Sequence, residues 1–180
     1  MVPIYVIDFE GNKKNGICEF GVVKLERWQI SEVKEEVDIN NFDKNLEYFL
    51  SIRRDGIFCA HSAQTEDSLL RHYWASPGNV PSFINNIKTT SWGPWIDTKT
   101  IYKKLFKNLS SYELSSLISS FNMNSTLLNL SKEYCNSERS KFHNALYDAL
   151  SCAALLQNLQ KFFKEITIEK LIFLSKETSS

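Results

Sequence analysis

Asp8 and Glu10, two residues apart, and His143 with Asp148, five apart, are the groups in this chain whose types and spacing can do chemistry. Side chains alternate along a strand, so Asp8 and Glu10 point the same way. Two anions at the end of a buried strand repel each other, so one pKa must rise or a cation must stand between them. No Lys or Arg precedes Lys13 on that stretch, and a divalent metal would resolve the conflict. Two solvated acids at an exposed strand end are the alternative; the apolar run before the pair and Gly11 after it favour the metal. Positions five apart do not share a helix face. His143 therefore belongs just outside a helix that carries Asp148 in its first turns, with Asn144 as N-cap. There Asp148 would sit near the positive end of the helix dipole and stay ionised. On the six residues HNALYD alone, a surface histidine beside an ordinary N-terminal acid is the plainer reading. Brought together, the acids and the imidazole would suit two-metal hydrolysis of a phosphodiester: carboxylates to hold the ions, and a group titrating near neutrality to take a proton from water.

A third segment, CAHSAQTEDSLL, places Glu66 and Asp67 in the first turn of a helix. Acids there are common partners of the helix dipole, and either could face a site. His61 ends the preceding strand and reads, by itself, as a satisfied buried or turn histidine.

The elements that must position these groups follow from hydrophobic periodicity and turn signals. Residues 3–7 form an apolar run that predicts a buried central strand. Residues 19–25 and 33–39 predict two more strands, the first reached through the turn at Asn15-Gly16. Residues 45–54 read as a helix and 57–60 as a strand. Thr65 is placed to cap a helix over 66–74. Residues 76–94 read as loop, 95–96 as a short strand, and Asp97 or Thr98 as the cap of the helix that follows. Helices are predicted over 112–121, 126–134 and 144–163, with a polar loop at 136–141. The tail, 165–180, fits either a strand or a helix. Strands that lead and then interleave with helices predict an α/β layer with a mixed sheet.

At 180 residues with 43% hydrophobic side chains, the chain suits one packed domain. Lys plus Arg and Asp plus Glu are 21 each, so no global field draws in nucleic acid, and attraction to phosphate must come from local patches or bound cations. Arg53, Arg54, Arg71, Lys103, Lys104 and Lys107 read mostly as solvated helix faces. The four cysteines are far apart with no CxxC pair, as expected of buried thiols in a reducing cytoplasm rather than a zinc site. Neither a signal peptide nor a membrane-spanning run is visible.

Taken in order, the three segments resemble the DEDDh family of 3′→5′ exonucleases, of the proofreading-subunit and ribonuclease T types. DFEGN…GICEFGVV is similar to the family's first motif, AHSAQTEDSLL to its second and HNALYDA to its third; WIDT and SSYELSSL resemble the linking sequence. The resemblance spans about Ile4 to Leu159. It implies a ribonuclease H-like α/β fold, a central mixed sheet flanked by helices, with residues 1–164 as the exonuclease domain. Residues 165–180 would pack on that domain or at a homodimer interface. It implies two Mg²⁺ or Mn²⁺ ions held by Asp8, Glu10, Glu66 and Asp148, with His143 as general base. Substrate contacts are implied at Phe9, Gly11, His61 and Ser62, although alternation turns the Phe9 side chain toward the core. The substrate would be a single-stranded 3′ end of DNA or RNA, releasing nucleoside 5′-monophosphates. The second motif departs from the pattern: Ser62 stands for Asn, Thr65 for an aromatic, and Glu66 for Asp, with Asp67 a rival acid. A catalytically silent 3′-end binding module is the alternative function.

Overall fold

A computed structural model describes residues 2–84 and 87–176. The chain opens as an antiparallel meander of β1 (Ile4–Asn12), β2 (Gly16–Glu26) and β3 (Gln29–Glu36). After a 3₁₀ turn at Phe42–Asn45 come α1 (Leu46–Asp55), β4 (Ile57–Ala60) and α2 (Ala63–Tyr73). A two-stranded ribbon, β5 (Val80–Pro81) with β6 (Lys88–Thr89), precedes β7 (Trp95–Asp97). The remainder is helical: α3 (Thr98–Leu105), α4 (Leu114–Ser120), α5 (Asn124–Tyr134), α6 (Ala145–Phe162) and α7 (Ile168–Ser175). The main sheet runs β3-β2-β1-β4-β7. The β4 strand is parallel to both β1 and β7, so the sheet is mixed. No helix among the described residues is long and apolar enough to cross a membrane.

Alternation along β1 divides the core. Ile4 and Val6 join the cluster built on α6, while Tyr5, Ile7 and Phe9 join a second, aromatic-rich cluster with Phe20, Phe49 and Phe58. Asp8 and Glu10 continue the Ile4–Val6 register and so face α6. That helix is buried along most of its length, with Ala145, Ala149, Ala153 and Ala154 nearly inaccessible. Small side chains let it lie close to the sheet. A close approach falls at Gly21, which pairs with Asp8 across the β1–β2 ladder. A Cβ at Gly21 would stand 2.4 Å from the Ala145 carbonyl and from Leu146 Cα. Only glycine admits the start of α6 there, and with it Asp148.

Several elements differ from expectation. The third strand spans Gln29–Glu36 rather than 33–39, because β2 turns back through Arg27 and Trp28, both at positive φ. Two-residue hairpin turns of this kind are usually marked by Asn-Gly, and Arg-Trp carries no such signal. The segment 76–94 is not all loop; it holds the β5–β6 ribbon. Arg53 is not a solvated cation. It is fully buried, donating to the carbonyls of Trp92 (2.8 Å), Pro81 (2.9 Å) and Gly93 (2.6 Å), and so ties that segment to α1. Thr65 lies inside α2, which begins at Ala63, so it caps nothing. Asp97 does cap, and at two helices: one carboxylate oxygen accepts from Thr100 N and the other from Ala63 N, each at 2.9 Å. The tail is helical over Ile168–Ser175; Leu171 and Ile172 are buried, and Asp97 N donates to Ser175 Oγ at 2.8 Å.

Candidate active site

The β1 strand, α2 and the start of α6 bring the candidate acids to one place. Glu10, His143 and Asp148 each offer a ligand atom, and these atoms lie within 4.8 Å of one another. Asp8 lies on the same face of β1. Glu66 is buried, and its Oε2 accepts from the Phe9 N–H at 3.2 Å, which places its carboxylate against β1 between the two strand acids. Asp67 points elsewhere: it accepts from Trp95 Nε1 at 2.9 Å and pairs with Arg71 at 3.6 Å. Of the two rival acids, Glu66 is the one that joins the cluster.

The electrostatics are those of carboxylates crowded without counter-charge. Burial, then the charges of Glu66, Asp148 and Glu10, pushes the Asp8 carboxyl well above its usual range. Burial lifts Glu66 to about 8, against the pull of the Phe9 N–H and with a further push from Glu10. Asp148 rises to about 6 through burial, although the His143 N–H it accepts (3.1 Å) draws it back. Burial thus outweighs the helix dipole, yet a carboxyl near 6 is still mostly ionised at neutral pH. Glu10 rises through burial and the nearby Glu19, opposed by His143 and Arg139. Asp148 Oδ1 is buried with no hydrogen-bond partner among the described residues. Mutually destabilised carboxylates and an orphaned buried carboxylate oxygen are what a hard divalent cation satisfies, so the donor set fits Mg²⁺ or Mn²⁺.

His143 stands exposed at the lip of the cluster, one residue before the N-cap position, with φ +66°. Asn144 occupies the cap position without capping; its Nδ2 donates to Lys141 O at 3.0 Å. The first amide of α6 is instead satisfied by Glu19, whose Oε1 accepts from Ala145 N at 2.6 Å.

The four implied substrate contacts fall in different places. The Phe9 ring is buried against Phe42 and Phe49, so that residue turns only its backbone toward the acids. His61 is taken up internally: Nε2 donates to Tyr112 O and Nδ1 meets Thr98 Oγ1, each at 2.9 Å. Burial holds its pKa down to about 4. Ser62 precedes α2 in a left-handed conformation, φ +79°, where asparagine is the commoner residue. Gly11, at φ +140°, pairs with Ile17 just past the bulge at Cys18, where the β1–β2 register shifts. A Cβ on Gly11 would meet Gly16 O at 2.2 Å. A cleft of about 410 Å³ opens at Gly11, lined also by Asn12, Lys13, Gln64, Thr65 and Ser68. Sequence reasoning gave Gly21 and Glu19 no role and did not single out Arg139. The first two lie inside the quoted first motif, where a glycine and an acid amid β-branched residues were the available signal.

No protein-family model and no curated protein matches the chain. Solved structures do. Exonuclease X, determined in complex with 5′-overhanging duplex DNA, is similar over 98% of this chain and 100% of its own, with a TM-score of 0.62 and 16% identity. A moderately thermophilic exonuclease I from Methylocaldum szegediense is similar over 96% of this chain and 42% of its own, with a TM-score of 0.60 and 10% identity. The five-stranded mixed sheet and its flanking helices are thus a fold shared with these exonucleases, ribonuclease H-like as expected.

Proposed function

We propose that this chain is a metal-dependent 3′→5′ exonuclease that removes nucleoside 5′-monophosphates from single-stranded 3′ ends of DNA or RNA. The observation that carries the proposal is the convergence of Glu10, His143 and Asp148 within 4.8 Å, beside Asp8 and Glu66. The exonuclease fold supports the same reading. Asp8, Glu10, Glu66 and Asp148 would hold two Mg²⁺ or Mn²⁺ ions. Bound there, such ions supply Lewis-acid stabilisation of the charge that develops on the phosphate and the departing 3′ oxygen.

The chain's own groups do the rest. His143 takes the proton of the attacking water at a ring nitrogen, as general base. Its place on the rim gives the imidazole access to solvent, and the hydrogen bond from its N–H to Asp148 fixes its backbone against the acid cluster. Phe9 N–H holds the Glu66 carboxylate toward the site. The cleft between Gly11 and α2 receives the terminal nucleotide. A chain that grips one or two nucleotides in this way needs no long basic groove, which agrees with equal numbers of cationic and anionic side chains.

The test is digestion of a 3′-labelled oligonucleotide, as DNA and as RNA, with Mg²⁺, Mn²⁺ or chelator. Release of labelled mononucleotide that chelator abolishes supports the proposal. Tight binding of the 3′ end without any release would point to a silent binding module instead. In the active protein, His143→Ala should lower turnover by about 10²-fold or more with the fold intact. Near-full activity in that variant would remove the base from the mechanism.

A further inference from the structure

Building on that reading of His143, we propose that Glu19 and Arg139 act as positioning residues: a clamp that sets the imidazole over the acid cluster without touching substrate. His143 lies in an exposed stretch between the 3₁₀ turn Ser137–Arg139 and α6. Left to itself, such a stretch would sample many positions. Here both of its ends are tied to the sheet by one carboxylate. On the upstream side the Arg139 guanidinium pairs with Glu19 of β2, and its Nε donates to Glu35 of β3 at 3.1 Å. On the downstream side the same Glu19 oxygen accepts from Ala145 N at 2.6 Å. The tethers bracket His143, four residues before it and two after. A third bond, from His143 N to Asp148, closes the segment onto α6.

Register places the clamp where it acts. Glu19 stands directly opposite Glu10 on the β1–β2 ladder. Like charges directly opposite are unfavourable in a sheet, so this pairing needs a compensating cation, and Arg139 is close enough to both to serve. The Glu19 side chain is mostly buried, at 12% exposure, and that of Arg139 is 28% exposed, so the pair is sheltered from the screening that weakens surface ion pairs. Without Arg139 the chain would keep Glu10 and Glu19 face to face and lose the upstream tether of the base.

A double-mutant cycle tests the proposal. Arg139→Ala should lower kcat by about tenfold or more and leave KM within about twofold, because misplacing a catalytic group costs turnover while ground-state binding persists. In a His143→Ala background the same substitution should change kcat by less than about twofold, since nothing remains to be positioned. Glu19→Gln keeps an acceptor for Ala145 N and removes the charge; it carries the same comparison if Arg139→Ala does not fold. An equal loss in both backgrounds, or a loss confined to KM, would overturn the clamp while leaving the general base in place. Full activity of His143→Ala alone would overturn the general base and the clamp with it.

Discussion

Crowded acids make the metal-free protein sensitive to pH, and the sign can be worked out. A carboxyl whose folded pKa lies above its unfolded value binds more protons when folded, so it lowers stability as pH rises from the unfolded value through the folded one. Asp148, lifted from 3.8 to about 6, has exerted its whole effect by pH 6.5. His61 works the other way: held down from 6.5 to about 4, it adds stability with rising pH, and most of that gain is in place by 6.5, where the unfolded imidazole is half protonated. Above pH 6.5 the larger share falls to Glu66, near 8, with Asp8, itself pushed well above its usual range, acting in the same direction. One proton of linkage is about 1.4 kcal/mol per pH unit, so Glu66 alone should cost about 2 kcal/mol between pH 6.5 and 8. For a chain of this length that is a fall in Tm of about 4–8 °C. Divalent cations replace the protons, so Mg²⁺ or Mn²⁺ should raise Tm more at pH 8 than at pH 6.5. Thermal unfolding in chelator and in each cation, at both pH values, supplies the six Tm values needed. A metal-free Tm that is flat or rising between the two, or a cation effect of the same size at both, would refute the account of the cluster.

Other expectations follow from contacts. Gly21→Ala must push α6 away by about 1 Å to reach ordinary contact with Ala145 and Leu146, displacing Asp148; nuclease turnover should fall by about 10²-fold, a loss that kinetics at a temperature where circular dichroism shows a folded chain would reveal. Glu66→Ala should abolish metal-dependent cleavage, whereas Asp67→Ala should keep most of it, since Asp67 bonds to Trp95 and Arg71 outside the cluster; an active Glu66→Ala with a dead Asp67→Ala would reverse that assignment. Arg53→Ala leaves three backbone carbonyls without their donor, at about 1 kcal/mol or more each. Its Tm should fall by about 6 °C or more by calorimetry, and an unchanged Tm would mean that water replaces the guanidinium freely.

Local pattern made much of the scaffold legible. The apolar run that becomes β1, the strand at Ile57–Ala60 and the long inward face of α6 are one-dimensional signals, because a strand repeats every two residues and a helix every 3.6. The same periodicity put Asp8 and Glu10 on one face and left His143 outside the helix of Asp148. What it could not supply was the partner of each polar group. Nothing near Arg53 in sequence marks it as buried, since the carbonyls it binds come from residues 81–93. Glu19 and Gly21 act on α6, and Arg139 on Glu19 and Glu35, across more than 100 residues of chain, and Arg27-Trp28 makes a tight turn that carries no turn chemistry.

Residue types and spacing thus determined which groups were available for chemistry and which face of each element bears them. Tertiary structure decided which of them meet. It placed Glu66 rather than Asp67 among the acids and raised those acids far from their solution values. The physical reason is that convergence and desolvation are properties of three-dimensional packing. A carboxylate's pKa and a side chain's partner depend on what the fold brings within a few ångströms, and local sequence patterns encode neither.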